Sequence, residues 1–142
     1  MKKENKEQSS ENQFQVVLLG VVYNPKTKKI LIGKRENDSI KELSWCFPGG
    51  RPNQTEDIEE CLKKKLKLKT GYSVESLGTI FAKTYPEKRD LLAIYFLCEI
   101  IEGEEMPGDD LTELKWVSPE EIEGHFTTSF HPSLKEYILN LK

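Results

Sequence analysis

The sequence predicts an α/β domain of the α+β type, in which a mixed β-sheet is sandwiched between helices, and three features predict it. The first is a pair of apolar, β-rich runs, QVVLLGVVY at Gln15 to Tyr23 and LLAIYFLCEI ending at Ile100. Both lack the polar alternation of a solvated strand, as strands covered on both faces should. The second is the recurrence of Ile58, Cys61, Leu62 and Leu66 at spacings of three and four, which gives a helix one apolar face. The third is the order of the elements, β-β-β-α-β-β-β-α-α, with strand clusters alternating with helices.

Taken along the chain, the first strand ends at Asn24-Pro25, and KILIGK (Lys29 to Lys34) returns as a second strand, suggesting a hairpin. Arg35 to Leu43 is charged and loop-like. Ser44 to Phe47 reads as a short aromatic strand stopped by Pro48-Gly49-Gly50. Asn53 is the expected helix cap with Glu56 three residues on, and Gly71 is the expected stop. Strands are expected at Val74 to Ala82 and Asp90 to Ile100, with a turn at Pro86 to Asp90 between them. An acidic Gly/Pro loop, Glu102 to Asp110, leads to a strand at Leu111 to Val117. Ser118-Pro119-Glu120-Glu121 has the cap, proline and third-position glutamate of a helix start. Leu134, Tyr137, Ile138 and Leu141 predict one face of a closing helix that begins at Pro132.

A chain of 142 residues suits one domain with a core large enough to need no disulfide. Residues 1–13 are almost wholly polar and are expected to be a disordered leader, with the domain spanning 14–142. No apolar run approaches the about 20 residues of a spanning helix, and the leader lacks the apolar segment of a secretory signal. Cys46, Cys61 and Cys98 are odd in number and widely spaced, without a CxxC pair, and read as buried reduced thiols of a cytoplasmic protein. The net charge of −3 argues against binding nucleic acid by bulk electrostatics. Lys63, Lys64, Lys65, Lys67 and Lys69 nevertheless make a local basic cluster.

The most informative stretch is Gly50 to Tyr72, GRPNQTEDIEECLKKKLKLKTGY. It resembles the Nudix signature G-x5-E-x7-R-E-U-x-E-E-x-G-U, where U is bulky and apolar. Gly50 begins it, Glu56 follows at the right interval, Lys64 stands at the arginine, Leu66 at the apolar position, and Gly71-Tyr72 close it. Trp45-Cys46-Phe47-Pro48-Gly49-Gly50 resembles the family's lead-in. Glu113 to Glu121 is similar to its last strand and helix start, so the resemblance covers about residues 14 to 140. It implies a Nudix-like mixed sheet between helices and chemistry on nucleoside-diphosphate derivatives.

The family's metal-binding glutamates fall at three positions that share one helix face, and here these are Lys65, Leu68 and Lys69. Three carboxylates suit Mg²⁺, a hard cation that takes oxygen ligands and activates water. An ammonium repels such a cation instead, so no metal site is expected. The expected function is binding of a nucleotide or other phosphate-containing small molecule without metal-dependent hydrolysis. By resemblance, the expected ligand contacts are Arg35, Phe47, Gly49, Gly50, Lys65 and Lys69, with ordinary core as the other reading of Phe47. One alternative is an active pyrophosphohydrolase whose Mg²⁺ or Mn²⁺ site has moved to Glu56, Glu60 and Glu113. A second is a module that recognises RNA or protein.

Overall fold

A computed structural model of the chain describes residues 13–35, 45–126 and 130–141. Residues 1–12 of the expected leader, the loop residues 36–43 and Ser44 lie outside the described residues. In chain order the elements are β1 (Gln15–Asn24), β2 (Lys29–Arg35), β3 (Trp45–Cys46), β4 (Gly49–Gly50), α1 (Ile58–Thr70), β5 (Tyr72–Tyr85), β6 (Lys88–Gly103), β7 (Leu111–Val117), α2 (Pro119–His125) and α3 (Pro132–Leu139). The α+β class is as the sequence predicts: a mixed sheet with helices on both faces.

β1 organises the sheet. It runs parallel to β6 from Gln15↔Leu91 to Val22↔Cys98, antiparallel to β4 at Leu18↔Gly50 and Leu19↔Gly49, and antiparallel to β2 at Tyr23↔Ile30. β2 in turn pairs with β3 and β7, and β5 pairs with β6 as a long antiparallel ribbon. The expected β1–β2 hairpin is present. Its link is an Asx turn in which the Asn24 side chain accepts from the Lys26 amide at 2.9 Å, and Lys28 adopts φ 59°.

Successive residues of β1 face opposite sides of the sheet, and the core divides accordingly. Val17, Leu19, Val21 and Tyr23 meet Ile122 of α2 and Leu134 and Ile138 of α3. Val16, Leu18 and Val22 meet Cys61, Leu62 and Leu66 of α1. Leu62 and Leu66 are fully buried, and each stabilises the fold by about 2 kcal/mol relative to an exposed side chain. Ile58, expected on that face, is 40% exposed at the first position of the helix. Tyr137 of α3 is likewise at the margin, 37% exposed, while Leu134 and Ile138 carry the packing.

Several boundaries differ from the sequence reading, among them those of β5, expected at Val74 to Ala82, and β6, expected at Asp90 to Ile100, which run longer at both ends. The α1 cap is Asp57, whose carboxylate accepts from the Glu59 and Glu60 amides. Asn53 instead folds its side chain onto Thr55, accepting from its amide at 3.0 Å, and so closes an Asx turn one step earlier. Gly49-Gly50, expected only to stop a strand, forms β4. The turn joining β5 and β6 is confined to Pro86 and Glu87, with Lys88 already in β6. Other signals hold as expected. Gly71 ends α1 at φ 82° with its N–H on the Lys67 carbonyl, and Glu121 accepts from the Ser118 amide and hydroxyl at the start of α2.

The loop after β6 completes α1. Met106 N–H donates to the Thr70 carbonyl at 2.9 Å and Gly108 N–H to the Lys69 carbonyl at 3.1 Å, satisfying acceptors that a helix end otherwise leaves to water.

All three cysteines are free. Burial pushes the Cys98 thiol up to about 12 and the Cys46 thiol up to about 11. Native protein at pH 8 should therefore react with iodoacetamide at these positions at least about a hundredfold more slowly than protein unfolded in guanidinium, because the thiolate is the reactive form. Mass spectrometry of timed aliquots checks this, and rapid labelling of the native state would contradict it.

Candidate functional site

The site is built where α1 crosses β4. The sequence dictates that approach: a Cβ on Gly49 would lie 1.9 Å from the Leu18 carbonyl oxygen, so only glycine lets β4 dock on β1. At Gly50 a Cβ would meet the Lys65 side chain at 3.1 Å, so the aliphatic stem of Lys65 lies across the glycine.

Lys69, one helical turn further along α1, is 9% exposed. Its ammonium donates to the Gly49 carbonyl and stands 3.1 Å from Asp110 Oδ1. The other Asp110 oxygen is 3.4 Å from Arg35 Nε. Asp110 Oδ1 is buried and has no aligned hydrogen bond, so its contact with Lys69 is an ion pair by distance alone. One N–H of the Lys69 ammonium goes to the Gly49 carbonyl. A buried ammonium requires both kinds of partner, and this one has a neutral acceptor on β4 and a counter-charge at the start of β7.

Of the six ligand-contact candidates, the structure brings Arg35, Gly49 and Lys69 into one network through Asp110, and places Gly50 and Lys65 beside it. Phe47 lies apart. It is 3% exposed, makes edge contacts with Tyr95, Phe126 and Phe130, and belongs to the core beneath α2 and α3, on the face of the sheet opposite α1. The ordinary-core reading describes its surroundings. Asp110 was not a candidate from sequence, where it reads as one more acid in a loop. Its adjacency to Leu111, which pairs with Arg35 across the sheet, becomes visible only with the strand register.

The three carboxylates offered as a relocated metal site do not converge. Glu56 accepts from Lys64 at 2.7 Å, a pairing that the resemblance to the signature implies between its first glutamate and its arginine position, and this bond holds the Glu56 carboxyl below the usual glutamate range. Glu60 lies 3.6 Å from Lys63, the lysine three residues on. Glu113 is exposed on β7 opposite Lys34. Among the described residues no group of three His, Cys, Asp or Glu side chains is placed to hold a metal ion.

The two histidines have local structural partners. His131 caps α3, accepting from the Ser133 amide at 3.0 Å. His125 Nδ1 is 2.9 Å from the Glu121 carbonyl.

The sequence matches the family profile of the NUDIX domain over residues 13–141. The chain belongs to the Nudix family. An ADP-ribose pyrophosphatase of Methanocaldococcus jannaschii is 33% identical over 94 residues, 64% of this chain and 55% of that protein, so the match spans about half of the relative's length. Among solved structures, a NUDIX hydrolase from Nitrosomonas europaea superposes with a TM-score of 0.73 at 17% identity, covering 89% of this chain and 71% of the other. A MutT protein from Methanosarcina mazei Go1 superposes with a TM-score of 0.71 at 20% identity, covering 90% and 92%. At such identities the structures speak for the Nudix fold alone.

The residues present on the Nudix helix do not fit the family's divalent cation. Two of the three signature carboxylates are replaced by ammonium groups. The third is Leu68, 64% exposed, which has no oxygen to offer. The Lys69 ammonium itself takes up the Gly49 carbonyl. Among the described residues no helix is long and apolar enough to cross a membrane.

Proposed function

We propose that this Nudix domain binds a phosphate-containing nucleotide derivative without hydrolysing it through a divalent metal. The observation that carries the reading is the Lys69 ammonium, lodged between the Gly49 carbonyl and the Asp110 carboxylate on the helix face where the signature calls for carboxylates. A fixed cation supplies counter-charge for a phosphate, but it neither lowers the pKa of a bound water nor opens a coordination position for one. Lys65, whose stem crosses Gly50, and Arg35, half exposed at the end of β2, add positive charge around Lys69. Arg35 suits phosphate recognition because its planar fork offers several donors. The similarity to an ADP-ribose pyrophosphatase of Methanocaldococcus jannaschii supports a nucleoside-diphosphate derivative such as ADP-ribose as the ligand class.

The test pairs an assay with a restored signature. Purified protein is incubated with ADP-ribose and nucleoside triphosphates in Mg²⁺ or Mn²⁺, beside a variant carrying Lys65→Glu, Leu68→Glu and Lys69→Glu. The expected outcome is no metal-dependent turnover by the wild type, measurable ADP-ribose binding by calorimetry, and turnover gained by the variant. Metal-dependent hydrolysis by the wild type would overturn the reading in favour of an active pyrophosphohydrolase.

A further inference from the structure

The basic groups around Gly49 already hold an anion, and it belongs to the protein. We propose that Asp110 is a resident stand-in for the ligand's phosphate, so that a phosphate binds by displacing this carboxylate from between Arg35 and Lys69. The inference rests on the phosphate-binding reading above and adds to it how the site is kept closed.

Three observations carry it. First, the carboxylate bridges the two cations with one oxygen each, Oδ1 to Lys69 at 3.1 Å and Oδ2 to Arg35 at 3.4 Å. Phosphate oxygens are recognised by the same two groups. Second, the resident anion is poorly held. Its Oδ1 is buried without an aligned hydrogen bond, and it meets Arg35 through Nε at a long distance rather than through the paired nitrogens of the guanidinium fork. A phosphate, with more oxygens in more directions, can satisfy both cations at once.

Third, the carboxylate can withdraw by side-chain rotation alone, because its backbone is held in a turn closed by the Leu111 N–H on the Gly108 carbonyl at 3.0 Å. Gly108 is fixed by its N–H on the Lys69 carbonyl, and Leu111 is fixed in β7 opposite Arg35. Between these anchors Asp109 takes the left-handed conformation, φ 54°, which is sparsely populated for residues other than glycine. The side chains of Asp110 and Arg35 are 37% and 47% exposed, whereas the side chain of Lys69 is 11% exposed. The carboxylate and the guanidinium are therefore the solvent-facing members of the network, and an incoming anion meets them before it meets Lys69. Withdrawal of the carboxylate leaves Lys69 bonded to Gly49 and uncovers two cations together.

The test measures binding of inorganic pyrophosphate by calorimetry, at low salt and with EDTA, to the wild type and to Asp110→Asn. Asparagine keeps the shape and an oxygen acceptor for Lys69 but removes the competing charge. The expected result is about tenfold tighter binding by the variant, because the apparent affinity of a ligand falls by the fraction of sites closed to it. Equal or weaker binding by the variant would overturn the proposal and leave the phosphate-site reading standing. Absence of binding by both proteins would remove the phosphate site and this proposal with it.

Should Asp110→Asn fail to fold, the wild type alone decides. On saturation with pyrophosphate the backbone amide resonances of Asp110 and Leu111 should shift. Binding that leaves them unmoved would show that the carboxylate stays in place.

Discussion

Gly49→Ala is expected to destabilise the protein by about 3 kcal/mol or more, toward the upper end of what overpacking costs. The added methyl would sit 1.9 Å from the Leu18 carbonyl oxygen, which is backbone and cannot swing aside as a flexible side chain does. β4 must then leave β1, and two things leave with it. The Gly20 N–H loses the Pro48 carbonyl that it meets at 2.8 Å, and Lys69 loses its neutral acceptor on Gly49. A urea titration followed by circular dichroism reads the effect as a lower midpoint. A midpoint equal to the wild type would mean that the approach of β4 to β1 is looser than described.

The second large effect is expected at Lys69. Lys69→Met keeps most of the aliphatic packing but leaves the Gly49 carbonyl and the buried Asp110 oxygen without their cation. Breaking a buried ion pair from one side typically costs about 3–5 kcal/mol. Asp110 is partly exposed, which brings the expectation down to about 2–3 kcal/mol and a fall in Tm of about 10 °C. Adding Asp110→Ala to Lys69→Met should recover part of the loss, because removing both members of a pair is milder than removing one. If the single variant melts with the wild type, Lys69 does not hold β4 and β7 to the helix.

Much of this fold was legible because its signals are local. The capping box at Ser118 and Glu121, the left-handed stop at Gly71 and the bounds of β7 need only neighbouring residues. The pairing of Glu56 with Lys64 is what the resemblance to the family signature implies. What escaped the sequence depends on distant partners. Asp57 lies only four residues beyond Asn53, yet which of them caps α1 is decided by where the helix must start to seat Leu62 and Leu66 beneath the sheet. Gly49-Gly50 has no strand propensity and pairs only because β1 is placed beside it. The candidate site divides in the same way. Lys65 and Lys69 were singled out by the resemblance to the family signature, but the fourth member of the Lys69 network, Asp110, comes from a loop 41 residues along the chain from it. Nothing short of the β2–β7 register puts it next to Arg35.

The parallel pairing of β1 with β6 has a consequence for how the protein is made. Gln15 finds its partner in Leu91 and Val22 in Cys98, so the longest run of pairs on the central strand joins positions 76 residues apart. A contact of that separation forms late and slowly, because the intervening chain must be ordered or looped out first. On the ribosome, β1 therefore emerges as an apolar segment with its principal partner not yet synthesised. The nascent chain has to keep it from pairing with another copy until most of the domain has followed.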